Sequence, residues 1–299
     1  MENATLRAIC RKLPRWVINL LFYLILFDVC YLFLYPVLYM VVTSLKTVSD
    51  HLDPTVRWIP RTIHWDNYAY ALKGLKYWSS FGTSTIIAVA SAIGQIISCS
   101  LAGYGFARMK FRFRELLFGV VIFTFLVPPQ TIVVPLFILY SRLGWIDTLR
   151  PFVVPAFLAN GLRGGLFIYI FRQFFRGLPW ELEDAACIDG AGPLRIYWSI
   201  MLPLAQPAIL VSGLFSLVWH WNDFFLPSVF LRSPVNATLP LSLKALDFEF
   251  SQPGSKMAEL FNEPVIMAAS FLVILPILLL YIIAQRYFVE GIERTGLVG

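Results

Sequence analysis

The sequence predicts an all-α, polytopic membrane protein with six transmembrane helices, and three observations carry that prediction. Hydrophobic residue types make up 58% of the 299 residues and charged types only 14%, against about 25% charged residues in an ordinary soluble domain. The mean hydropathy is +0.71. So few charges could not solvate two globular domains of the size the length would otherwise suggest. Aromatic residues at 16% exclude disorder, because disordered segments are poor in them. Finally, apolar residues fall into six runs, each long enough to cross about 30 Å of hydrocarbon at about 1.5 Å per helical residue.

The first run, residues 17–42, is too long for the apolar region of a signal peptide and lacks a small-residue cleavage site. It is expected to stay as an anchor. The second, 83–107, carries Ala90, Gly94, Ser98 and Ala102 at every fourth position, a stripe that lets another helix approach closely in lipid. The third, 116–140, contains Val127-Pro128-Pro129-Gln130 and Pro135. Prolines remove backbone hydrogen bonds and kink a helix where the freed carbonyls find partners or line a cavity. The fourth, fifth and sixth runs are 152–171, 207–231 and 265–284.

Three ionisable residues, Asp28, Arg163 and Asp223, fall within or beside these runs. Each is costly against lipid and is expected to face the bundle or a wet cavity, with Asp28 and Arg163 a candidate pair. His220-Trp221-Asn222-Asp223, in the outer half of the fifth run, admits two readings: a substrate contact or an interfacial aromatic anchor.

The net charge of +6 and pI near 9.2 do not describe a nucleic-acid surface. The cations cluster beside apolar runs, as Arg7, Arg11, Lys12, Arg15 and again Arg108, Lys110, Arg112, Arg114, and such clusters mark the cytoplasmic flanks of spans. This orientation predicts a cytoplasmic N-terminal segment over 1–16, a six-helix domain over 17–299, and both termini inside. The four cysteines, Cys10, Cys30, Cys99 and Cys187, form no CxxC pair and are expected to be reduced thiols. The three histidines, His51, His64 and His220, show no metal spacing. No catalytic or metal site is expected.

One loop is punctuated throughout, from Gly177 to Pro193. Pro179 suits a first helical turn, Glu181, Glu183 and Asp184 suit the positive helix start, and Gly190 suits a helix stop. Pro193 can then open a second helix running to about Met201 and ending at Leu202-Pro203. Helices that lie on a membrane surface are usually basic on the polar face. An acidic one with small Ala185 and Ala186 suits docking onto another protein.

Asp184-Ala185-Ala186, then Gly190 after three intervening residues, then Ile200 and Leu202-Pro203, resembles the EAA loop of ABC-importer permeases. Residues 181–204 as a whole resemble the carbohydrate-uptake, maltose-transporter-type subfamily. Ser44-Leu45-Lys46, Asn67-Tyr68, Ala102-Gly103-Tyr104 with Phe106-Ala107-Arg108, and Trp221-Asn222-Asp223 extend the likeness over most of the chain. The family usually has Glu where Asp184 stands.

The resemblance implies a type I ABC importer permease fold in the inner membrane of a prokaryote, passing a sugar or oligosaccharide inward. It implies a second permease subunit as heterodimer partner and a cytoplasmic ABC ATPase dimer. It also implies an extracytoplasmic solute-binding protein on the outer loops 43–82 and 232–263, with lipid around the bundle and no nucleic acid. The chain itself has no G-x-x-x-x-G-K-[ST], so ATP and Mg are expected in the partner ATPase and no cofactor here. The 177–204 loop would couple to that ATPase through Glu181, Glu183, Asp184, Ala185, Ala186, Gly190, Ile200 and Pro203. Gln130, Trp221, Asn222 and Asp223 are the candidate substrate pathway, by their amide, carboxylate and aromatic chemistry. A secondary transporter of a small polar solute is the alternative; it leaves the acidic loop unexplained, and the sequence shows no internal repeat.

Overall fold

The computed structural model of the protein describes residues 14–250 and 263–296, with side chains described to 249 and from 263 to 285. The Arg7, Arg11, Lys12 cluster, Cys10, most of the 1–16 segment and part of the 232–263 loop lie outside the described residues. The regular structure is helical. In order it comprises α1 (Arg15–Ser44), α2 (Val48–Leu52), α3 (Asp66–Gly74), α4 (Tyr77–Arg108), α5 (Arg114–Leu126), α6 (Pro129–Arg142) and α7 (Arg150–Phe157). Next come α8 (Gly164–Gly177), α9 (Glu181–Ile188), α10 (Pro193–Ile196), a π-turn (Tyr197–Met201) and α11 (Leu202–Leu204). The chain continues through α12 (Gln206–Asn222), α13 (Phe225–Phe230), α14 (Leu239–Phe250) and α15 (Glu263–Gly296).

Three stretches, Arg15–Ser44, Tyr77–Arg108 and Glu263–Gln285, are long and apolar enough to cross a membrane. Two bent pairs raise the number to five if each is one span. The expected kink in the third run is a full break, with α5 and α6 at 97°. Val127 and Pro128 are both extended, because each precedes a proline, whose ring excludes the helical region for the residue before it.

The fourth run departs furthest from a continuous span. Pro155 sits inside α7 and lacks an N–H, and the helix stops at Phe157. Ala159 and Arg163 then take left-handed φ angles of 58° each before α8 begins. The fifth run breaks after Asn222, where Asp223 is extended.

The chain divides into two compact units, one taking residues 1–71 and 250–272 and the other 72–249 and 273–299. In the first, the two short motifs at the end of α1 and the start of α3 meet. Asn67 Nδ2 donates to the carbonyls of Ser44 at 2.9 Å and Lys46 at 2.8 Å. The Tyr68 and Ser44 hydroxyls lie 2.7 Å apart. The buried Lys46 ammonium donates to Val56 O and Arg57 O at 2.8 and 2.9 Å, so among the described residues carbonyl dipoles solvate this cation.

In the second unit, α4 packs against α7, α8 and α12. Gly103 makes the α4–α8 approach possible: a Cβ there would lie 2.6 Å from Phe171 Cβ and 3.0 Å from Arg172 N. Along the small-residue stripe, Gly94 faces the Phe157 ring, and Ser98 Oγ donates to Ala156 O at 2.7 Å. Ala90 and Ala102 are only half-buried. At one end of this unit, Asp147 accepts from Arg232 N, Ser233 N and Ser233 Oγ, each at 3.0 Å. These bonds, chiefly that from the Ser233 backbone, pull its carboxyl down to about 2.

Gly103→Ala is expected to lower the thermal midpoint of the detergent-purified protein by several degrees, a cost of about 1–3 kcal/mol for overpacking. Gly105→Ala, where a Cβ meets nothing within 4 Å, is expected to leave it unchanged or raise it through helix propensity.

Candidate functional site

The 177–204 loop follows its punctuation at Gly190 and Pro193, whereas Pro179 precedes the N-cap residue Trp180 and so lies outside the first helical turn expected for it. Trp180 caps α9, whose first turn holds Glu181, Glu183 and Asp184 against the positive helix end. Gly190, at φ 77°, closes the helix in a conformation that costs other residues a Cβ clash. Gly190 N donates to Cys187 O at 3.0 Å and Ala191 N to Ala186 O at 2.9 Å. Pro193 opens α10, where its missing N–H costs nothing. The second helix then widens into the π-turn before α11, and the 193–204 segment meets α12 at 77°.

One face of this loop is sealed into the protein. Ala186, Ile196, Tyr197 and Met201 share a core with Tyr104, Ala107, Phe171 and Phe175. The Tyr197 hydroxyl lies 2.7 Å from Ser100 Oγ on α4. The seat is fastened by Arg108, the last residue of α4. Its guanidinium lies 3.2 Å from the Glu183 carboxylate, 4.3 Å from the centre of the Trp180 ring, and donates to Leu178 O. The Arg108 side chain is 1% exposed and that of Glu183 13%. Burial pushes the Glu183 carboxyl up from the usual glutamate range, against the opposing pull of Arg108. A second buried arginine, Arg172 on α8, lies 2.7 Å from Glu115 and 3.9 Å from the centre of the Phe118 ring.

The structure separates the expected docking residues by face. Glu181, Asp184, Ala185, Gly190 and Pro203 are exposed, and Ile200 is half-buried. Ile188 stands out at 86% exposed. Ala186 and Glu183 instead point into the protein's own core and its arginine seat. The small size of Ala186 therefore sets how closely α9 lies on α4 and α8.

The pathway candidates are divided in the same way. Gln130, Asn222 and Asp223 line one cavity of about 1070 Å³, joined there by Asn160, Arg163 and His220. Arg163 lies 4.5 Å from the centre of the Trp219 ring, a cation–π contact that offsets part of its desolvation. Trp221 is buried elsewhere: its Nε1 donates to Val273 O at 3.1 Å, and its ring meets Phe81 edge-on. Asp28 is exposed on α1, so neither the bundle nor a cavity of this chain covers it.

Comparison with known proteins accounts for this arrangement. A family model described as the binding-protein-dependent transport system inner membrane component matches residues 95–294. The arabinooligosaccharide transport system permease protein AraQ of Halalkalibacterium halodurans is 31% identical over 91% of this chain and 93% of its own. GgtD, a permease protein for uptake of osmoprotective compounds in Synechocystis, is 31% identical over 94% and 93%. The trehalose transport system permease SugB of Mycobacterium tuberculosis is 29% identical over 89% and 93%. Among solved structures, a chain of a bacterial ABC transporter involved in import of the polysaccharide alginate superposes with a TM-score of 0.79. It is 24% identical over 91% of this chain and 96% of that one, a likeness of fold. The chain thus belongs to the inner-membrane components of binding-protein-dependent transport systems: it is a multi-pass, non-catalytic permease subunit of an ABC importer.

Proposed function

We propose that this permease carries a sugar or oligosaccharide into the cytoplasm, with both its termini on the cytoplasmic side. It works beside a second permease chain, an extracytoplasmic solute-binding protein and an ATPase dimer that holds ATP and Mg. The carbohydrate substrate is supported by relatives named for arabinooligosaccharides and trehalose, and by a cavity that gathers amide, carboxylate, imidazole and guanidinium groups. Groups of that kind match the alternating donors and acceptors of a polyol.

The observation that carries the coupling role is the two-faced seat of α9. Its inner face, Glu183 and Ala186, is locked to α4, so a push on α9 moves the bundle as a rigid body. Its outer face, with Glu181, Asp184, Ala185 and Ile188, is left for the ATPase. Inward-facing and outward-facing packings that differ by a few kcal/mol are enough for ATP-driven closure of the motor to select between them.

An ATPase and a second permease are expected to co-purify with the tagged chain. Vesicles with the cognate binding protein are expected to take up at least one labelled sugar from a panel only when ATP is inside. Uptake driven by an ion gradient without an ATPase would support the secondary-transporter reading. Ile188→Ala is expected to weaken ATPase association about tenfold, the effect of losing roughly 1–2 kcal/mol at an apolar anchor. Arg108→Ala acts on the other face, leaving Glu183 buried without its counter-charge, and is expected to destabilise the seat by about 3 kcal/mol. Its signature is ATP hydrolysis that persists while uptake falls, read as the ratio of the two rates in proteoliposomes.

A further inference from the structure

We infer that His220 is a specificity-determining residue of the translocation cavity, a fixed hydrogen-bond acceptor that reads one hydroxyl of the transported solute through Nε2. The inference rests on the carbohydrate reading above. Its basis is a buried polar chain whose direction is set at every link. Gln95 on α4 donates through Nε2 to Leu162 O at 2.7 Å. Its Oε1 accepts from Ser216 Oγ at 2.6 Å. The His220 Nδ1 then lies 2.8 Å from the Ser216 carbonyl and 3.3 Å from the Ser216 hydroxyl.

A carbonyl only accepts, and the Ser216 proton is already committed to Gln95, so Nδ1 must carry the hydrogen. In the neutral ring that leaves Nε2 as a lone-pair acceptor. The imidazole is 6% exposed and lines the cavity. With Nδ1 turned back onto its own helix, Nε2 is the nitrogen left for a solute. Gly161 belongs to the same device, since a Cβ there would lie 2.7 Å from Gln95 Nε2.

Asp223 offers carboxylate acceptors in the same cavity, and Arg163 and Gln130 offer donors. A hydroxyl that donates to Nε2 while its oxygen accepts from a neighbour satisfies both sides. An analogue lacking that hydroxyl leaves the buried imidazole acceptor without its partner, and sites built to hydrogen-bond a hydroxyl discriminate strongly against its loss.

The test uses the reconstituted complex with a saturating amount of its binding protein. Labelled arabinotriose and trehalose are the probes, followed by mono-deoxy analogues of whichever is taken up. Wild type is expected to reject one deoxy analogue about tenfold or more in maximal uptake rate. His220→Phe, and His220→Leu as a second acceptor-free variant, are expected to carry the parent sugar and that analogue at equal rates. Binding-protein-stimulated ATPase activity should persist in both. His220→Gln, which restores an acceptor, is expected to recover part of the discrimination. An assembled acceptor-free variant that still rejects the analogue as wild type does overturns the inference while leaving the carbohydrate function standing. A wild-type complex that takes up neither probe nor any sugar of the wider panel overturns both.

Discussion

A guanidinium taken out of water must find a carboxylate and a set of acceptors, and in this permease that requirement ties the loop to the bundle. Arg108 ends the longest helix of its unit, and its side chain is 1% exposed. The Glu183 carboxylate supplies its counter-charge at 3.2 Å, Leu178 O accepts one hydrogen bond and the Trp180 ring covers it, while Nε and Nη1 make no hydrogen bond among the described residues. Buried ion pairs add little net stability and lose much when one partner is removed. That asymmetry makes the contact between the 177–204 loop and the end of α4 sensitive to loss of either Arg108 or Glu183. Where α8 meets α5, Arg172 is likewise buried beneath the Phe118 ring, but its partner Glu115 is largely exposed.

The cavity follows from a different constraint. Backbone groups released from a helix cannot be left facing lipid, so irregular segments are confined to protein or to a wet space. The three breaks at 127–128, 158–163 and after Asn222 all contribute lining to the one cavity. Breaking three helices therefore does two jobs. It opens the space between helical segments, and it brings Gln130, Arg163 and Asp223 to the ends of those segments where they line the cavity.

Much of this was legible in the residues. The proline pair at Pro128-Pro129 forecast a disrupted helix, and the Gly190 and Pro193 punctuation of the loop needs only local backbone chemistry. Other features depend on partners distant in the chain. The basic cluster groups Arg108 with Lys110 and Arg112, yet Arg108 alone is buried, because only it ends on the face of α4 that Gly103 and Ala107 press into the core. The glycines around Arg163 mark a turn locally, but the hydrogen bond from Gln95 Nε2 to Leu162 O beside it comes from a distant helix. Ala185 and Ala186 are adjacent and alike, but one faces out and the other in. Composition cannot assign them, because the face that α9 turns inward is defined by partners distant in the chain, Arg108 beside Glu183 and the core around Ala186.

The π-turn at Tyr197–Met201 has a significance beyond its length. A π-turn accommodates one residue more than the α-helix it interrupts, and one residue corresponds to about 100° of rotation. Tyr197 is pinned at its hydroxyl by Ser100, so the widened turn sets the angular phase between residues 193–196 and the helical segment that follows. Inserting or deleting one residue here would turn residues 193–196 by about 100° against the helix that follows, so the register of this short segment is held by the widened turn and the tyrosine together.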